Sequence, residues 1–196
     1  ANLDVYGGDL ALTDATAILN ASDATLTISE RCSSTDSMAI GGSTSPTEGG
    51  PYALNLLAAE LSSLHSKNLL LDPYNGTIFV SGFDQASDMA NVQGGEVSIV
   101  TATENGTSAH IKFGDAATTF SSNNVDGVRI VGDAGIYVYK TVTSHSAAPI
   151  RFIFASGDFV IGDGSNDDVH IVTTGAGGNI EFTSPSSESI LVNSLP

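Results

Sequence analysis

Hydrophobic and polar positions alternate in short bursts along most of this chain, and glycine opens many of the bursts. Gly157-Asp158-Phe159-Val160-Ile161 is followed, after a polar turn, by Asp168-Val169-His170-Ile171. Gly178-Asn179-Ile180-Glu181-Phe182 is followed in the same way by Ser189-Ile190-Leu191-Val192. Alternation with a period of two places Phe159 with Ile161, and Ile180 with Phe182, on one face of a strand. The glycines mark corners where the backbone needs freedom.

Earlier stretches carry the same phrase. Gly8-Asp9-Leu10-Ala11-Leu12 is answered by Ala24 to Ile28, and Gly95 to Ile99 by Ala109 to Phe113. Looser versions begin at Gly76, Gly127 and Gly135. A phrase of glycine, a polar residue and an apolar–x–apolar triplet, recurring at irregular spacing, is a repeat signal. It predicts an all-β chain with a short-strand β-helical or stacked-sheet body. A β-sandwich or jelly roll, whose strands also alternate after glycines, is the alternative.

One stretch breaks the alternation. Leu54, Leu57, Leu61 and Leu64 fall at spacings of three and four, Ala53, Ala58 and Ala59 favour helix, and Pro51 suits a first turn. This predicts one covering α-helix over about 51–68, inserted in a single β-rich domain spanning 1–196. Ala1 to Val5 reads as a short extended lead, with Leu3 and Val5 as candidate residues for strand addition to a neighbour's sheet. Glu30 to Gly50, rich in Ser, Thr and Gly, reads as a long loop.

Composition narrows the function classes. Hydrophobic residues make up 41% of the 196, enough for a core, but charged residues only 14%. The surface is therefore built largely from Ser, Thr, Asn and Gly, which suits an extracellular or shell protein more than a cytoplasmic enzyme. Six Lys and Arg stand against 22 Asp and Glu, a formal net charge of −16. Such a chain repels phosphate backbones and anionic lipid, which argues against nucleic-acid and membrane-surface partners. Excess acid that keeps a secreted protein dissolved is the plain account of the charge. No apolar run is long enough for a transmembrane helix. The start at Ala1 is what removal of a signal peptide would leave, and a cropped chain would look the same.

Candidate chemistry is sparse. Asp163, Asp167 and Asp168 lie in the densest acidic turn, with oxygen-bearing side chains at alternate positions as in hard-cation loops. Ca²⁺ is the ion they would take, and a solvated turn is the plainer reading. Asp168 and Thr174 stand where an EF-hand would need Gly and Glu. Histidines 65, 110, 145 and 170 share no metal-ligand spacing; His110 and His170 occupy the same place in two answering strands and are expected to face solvent. Asn20, Asn75 and Asn105 head glycosylation sequons in predicted turns. Cys32 is the single cysteine, so no internal disulfide forms; burial, a free thiol and pairing between subunits all remain open. No nucleophile elbow, P-loop or dinucleotide motif occurs, and the chain is read as a non-enzyme without a cofactor.

The phrases Gly127-Val128-Arg129-Ile130, Gly178 to Pro185 and Ser189-Ile190-Leu191-Val192 resemble the repeats of sarcoglycan ectodomains and of phage and viral fibre shafts. In those families short strands from several chains wind into an intertwined β-helix. The resemblance implies an elongated, oligomeric, structural role, at a cell or virion surface, and carries no functional residue across. The expectation is a structural subunit of an extracellular filament, appendage or fibre, a homo-oligomer or polymer joined by β-rich contacts. The rival is a carbohydrate-binding adhesin presenting tyrosines such as Tyr137 and Tyr139, or a viral decoration protein.

Overall fold

The computed structural model describes residues 1–8, 10, 16–30, 37–41, 52–74, 76–101, 109–163, 168–184 and 188–192. The chain opens with β1 (Leu3–Tyr6), β2 (Leu19–Ser29), β3 (Met38–Gly41) and β4 (Leu54–Leu56). A five-residue helix, α1 (Ala58–Ser62), leads into β5 (Leu64–Leu71) and β6 (Ile78–Gly82), and a single turn, α2 (Gln85–Asp88), follows. From there the chain visits three sheets in strict rotation. The first full coil is β7 (Glu96–Val100), β8 (Ile111–Phe113) and β9 (Thr118–Phe120). The second is β10 (Gly127–Gly132), β11 (Ile136–Val138) and β12 (Val142–Ser144). The third is β13 (Ile150–Phe154), β14 (Phe159–Ile161) and β15 (Ile171–Thr173), after which β16 (Ile180–Thr183) and β17 (Ile190–Val192) begin a fourth.

Every pairing between these strands is parallel, and the sheets run along the stack. The first sheet orders β1-β2-β5-β7-β10-β13-β16, the second β4-β3-β6-β8-β11-β14-β17, and the third β9-β12-β15. This is the β-helical body the repeated phrase predicts, built by one chain. Parallel pairing throughout leaves no place for the sandwich alternative, whose sheets are antiparallel.

The register explains why alternation survives coils of unequal length. In the first sheet one inward column runs Leu3, Leu26, Leu69, Val97, Val128, Ile150 and Ile180. A second runs Val5, Ile28, Leu71, Ile99, Ile130, Phe152 and Phe182. The second sheet answers with Leu54, Met38, Ile78, Ile111, Ile136, Phe159 and Ile190. Burying one such side chain is worth roughly 1.5–3 kcal/mol. A slip of one residue would turn a whole strand's apolar set outward, so the columns hold the register.

Most of the glycines that open the phrases have a steric reason. A Cβ on Gly157 would stand 1.8 Å from the carbonyl oxygen of Ala134 in the preceding coil. At Gly127 it would stand 2.3 Å from that of Pro149, and φ there is +94°. Corners of adjacent coils meet backbone to backbone at these points, and only glycine fits.

The helix expected over 51–68 is corrected to the five residues Ala58–Ser62. Leu54 and Leu56 lie in β4 opposite Met38 and Ile40, and Leu64 opens β5 opposite Leu19. The leucine spacing also matches a coil that turns once between two strands, and tertiary pairing overrides a short helical propensity. What remains of helix is capped at its start, where the Glu60 carboxylate accepts from the Leu57 amide at 3.2 Å. The extended lead Ala1 to Val5 is a strand in its own right, and Leu10, expected within one, lies outside any strand.

Candidate assembly surface and outer faces

A coil buries its inward side chains only if another coil lies on each side of it. At the C-terminal end no described strand lies beyond β16 and β17. Phe182 is 39% exposed, Ile190 49%, Leu191 41% and Val192 66%. Three of these, Phe182, Ile190 and Val192, occupy inward columns that are fully buried two coils earlier at Ile130, Ile136 and Val138. The outer edges of β16 and β17 end their sheets. Together they form an apolar surface beside open backbone hydrogen-bonding positions. Beside it, Glu181 is ion-paired with Arg151 at 3.0 Å.

The opposite end is finished differently. Leu54 and Leu56 of its edge strand are 2% and 0% exposed. Leu3 and Val5 are half-buried, and Leu10 packs with Val5 and Leu54 around a small hollow. The candidate strand-addition residues Leu3 and Val5 thus pair inside the chain, with Leu26 and Ile28. The other edge of β1 pairs with no described strand.

The third side changes character along the stack. Its upper part is helical, α1 resting on α2, and a bridge from Asp84 to Thr119 aligns α2 with β9. A buried polar network makes that change-over. Gln85 Nε2 donates to Asn124 Oδ1 at 2.8 Å, and Asn124 Nδ2 donates back to Gln85 Oε1 at 2.8 Å. Gln85 also accepts from the Ser121 amide and donates to the Val92 carbonyl. Ser146 Oγ donates to the Asn124 carbonyl one coil on. Both hydrogens and both lone pairs of the Gln85 amide are thereby occupied. Neither residue stands out in the sequence; a polar pair 39 apart has no local signature.

The outer faces differ as sharply as the ends. The outward column of the first sheet is mostly polar: Asp4, Thr27, Leu70, Ser98, Arg129, Arg151 and Glu181. That of the second sheet reads Asn55, Ala39, Phe79, Lys112, Tyr137, Val160 and Leu191. Tyr52 stacks on Phe79 with centroids 5.9 Å apart, closing one end of this face. Next along it, His110 meets Tyr137 edge to face at 5.3 Å, Tyr137 lies 6.1 Å from Tyr139, and Lys112 Nζ stands 4.9 Å over the Tyr139 ring.

Other sequence candidates fall as follows. Asp163 and Asp168 are exposed, and Asp167 lies outside the described residues. Among the described residues no group of three His, Cys, Asp or Glu side chains could hold a metal ion. Asn20 is exposed but sits within β2 and not in a turn, because Leu19 and Ala21 enter the core beside Leu64 and Ser66. Its Oδ1 accepts from the Ser22 amide at 3.0 Å. Asn75, Asn105 and Cys32 lie outside the described residues. His110 and His170 are not equivalent: His110 leads into β8 of the second sheet and is half-buried against Tyr137, whereas His170 leads into β15 of the third and is exposed. No described helix is long and apolar enough to cross a membrane. Comparison with protein-family models, with curated proteins and with solved structures found no match to this chain.

Proposed function

We propose that this chain is a structural subunit of an extracellular filament, appendage or fibre, whose β-stack is continued at its C-terminal end by another β-coil surface. The exposed inward columns at Phe182, Ile190 and Val192 carry this reading. A surface that consists of alternate apolar side chains between free strand edges fits another strand far better than a small ligand. A Ser-, Thr- and Gly-rich exterior supports the same reading, since short side chains lose little rotamer entropy when buried against a neighbour.

A contact of one copy's last coil with another's first would be head-to-tail, and such contacts propagate into fibres. Carrying the columns straight across would set Asp4 of β1 beside Glu181 of β16, like charges opposite one another. With −16 on each chain, Ca²⁺ or added salt should therefore strengthen assembly more than it strengthens the isolated fold. Chelator at low ionic strength that leaves both unchanged would remove this cation effect.

Negative-stain imaging of concentrated protein tests the reading, with Ile190→Lys/Val192→Lys alongside. Elongated particles in the parent chain and single short rods in the variant are expected. Short rods in both, at all concentrations and salt levels, would overturn it.

A further inference from the structure

We propose that Asn20 carries an N-linked glycan, held at the surface of the N-terminal part of the stack and away from Phe182, Ile190 and Val192. The inference rests on the extracellular reading above, because a secreted chain is the one that meets the transferring enzyme.

The sequon Asn20-Ala21-Ser22 straddles the point where β2 stops matching β5. Leu19 and Ala21 pair with Leu64 and Ser66, and Ala21 is buried, so the start of the sequon is fixed to the stack. The ladder then slips. Ser22, Asp23 and Ala24 stand opposite Lys67 alone before Thr25 meets Asn68. The surplus residues bulge from the sheet, and Ser22 turns back onto Asn20. Asn20 Oδ1 accepts from the Ser22 amide at 3.0 Å and also from the Ser22 hydroxyl. Asn20 Nδ2 has no hydrogen-bond partner among the described residues, and the side chain is exposed. The carboxamide is thus held by its oxygen while its nitrogen is left to solvent. That nitrogen is the atom a glycan takes.

The surroundings suit a bulky, hydroxylated group. Ser22 and Asp23 are exposed, and β1 pairs with β2 only from Leu26 to Ser29. No described strand pairs with Leu19–Ala21 on the side away from β5. A glycan on Nδ2 would therefore break no printed hydrogen bond of Asn20 and uncover no core side chain. In the transfer, Asn20 Nδ2 attacks the anomeric carbon of an oligosaccharide carried on a polyprenyl diphosphate. The C–N bond forms as the C–O bond to the diphosphate breaks, and the nitrogen gives up one proton. Ser22 supplies the hydroxyl that the sequon requires.

The test is expression of the full chain behind a signal peptide in a eukaryotic secretory host. Glycopeptides of the secreted and the intracellular chain would be mapped by mass spectrometry, with the Asn20 peptide scored separately from Asn75 and Asn105. A glycan on most copies of the Asn20 peptide is expected, lost in Asn20→Gln and in Ser22→Ala and kept in Ser22→Thr. Peptide N-glycosidase should release it from the folded protein without denaturant, and Asn20→Gln should melt as the parent does. A bare Asn20 in both pools overturns the proposal, whatever particles the chain forms. So does a glycan that is released only after denaturation, since Asn20 would then be covered in the folded chain. Glycosylated chains that remain short rods at every concentration and salt level would overturn assembly and leave this site standing.

Discussion

The two ends of the stack are made from the same grammar and finished in opposite ways. Both present an edge strand from the first sheet and one from the second, with apolar residues at alternate positions. At the N-terminal end those residues are better covered: Leu54 and Leu56 are inside, Val5 and Leu10 line a small hollow with Leu54, and Leu3 and Val5 are half-buried. At the C-terminal end their counterparts Phe182, Ile190 and Val192 face outward. The local sequence rule makes a coil; only a neighbour makes it a core. A solenoid's stability is close to a sum of coils and their interfaces, so a coil with one interface contributes less than a coil with two.

Four substitutions would break or sharpen that contrast. Leu56→Ala at the covered end should cost about 2–5 kcal/mol, read by chemical denaturation, because it opens a cavity between two coils. Gln85→Ala should cost about 1–3 kcal/mol by leaving the Asn124 amide and the Ser121 N–H buried without partners. If it costs nothing, the helical third side is not tied to the strands through this network. Arg151→Ala should lower stability by less than about 1 kcal/mol, and by less still at high salt, since both Arg151 and Glu181 are over a third exposed. Val192→Ala at the open end should stay within about 0.5 kcal/mol in dilute protein. A loss at Val192 as large as that at Leu56 would mean that the open end is covered in solution, and the contrast between the ends would disappear.

Much of this was legible in the chain. The period-two bursts identify strands because inward columns must stay apolar in every coil, and the glycines identify corners because adjacent coils leave no room for a Cβ. The number of sides was not legible. Gly95 opens a first-sheet strand, Gly135 and Gly157 open second-sheet strands, and nothing in the phrase says which. Third-sheet strands are short and rich in threonine, and Thr118–Phe120 and Val142–Ser144 carry no glycine-opened phrase of their own. The leucines after Pro51 misled because a spacing of three and four fits a helical face and equally fits two strands joined by one helical turn. For the candidate surfaces, Tyr137 and Tyr139 were visible as alternating aromatics. Their company was not: His110, Lys112 and Val160 reach that face through register alone.

The placement of β4 bears on how the molecule is made. It follows β3 in the chain but stacks on the side of β3 away from β6, so the chain steps backward once before β5 resumes the forward order. From β5 onward each new strand can be laid on the one before it as the polypeptide emerges, one coil at a time and always in the same direction. β4 departs from that order, yet it takes the edge of β3 that β6 does not use, so the two pairings do not compete. β4 follows β3 directly in the chain and can join it before β6 exists. The backward step therefore occupies that edge of β3 without delaying the coils that wind forward from β5.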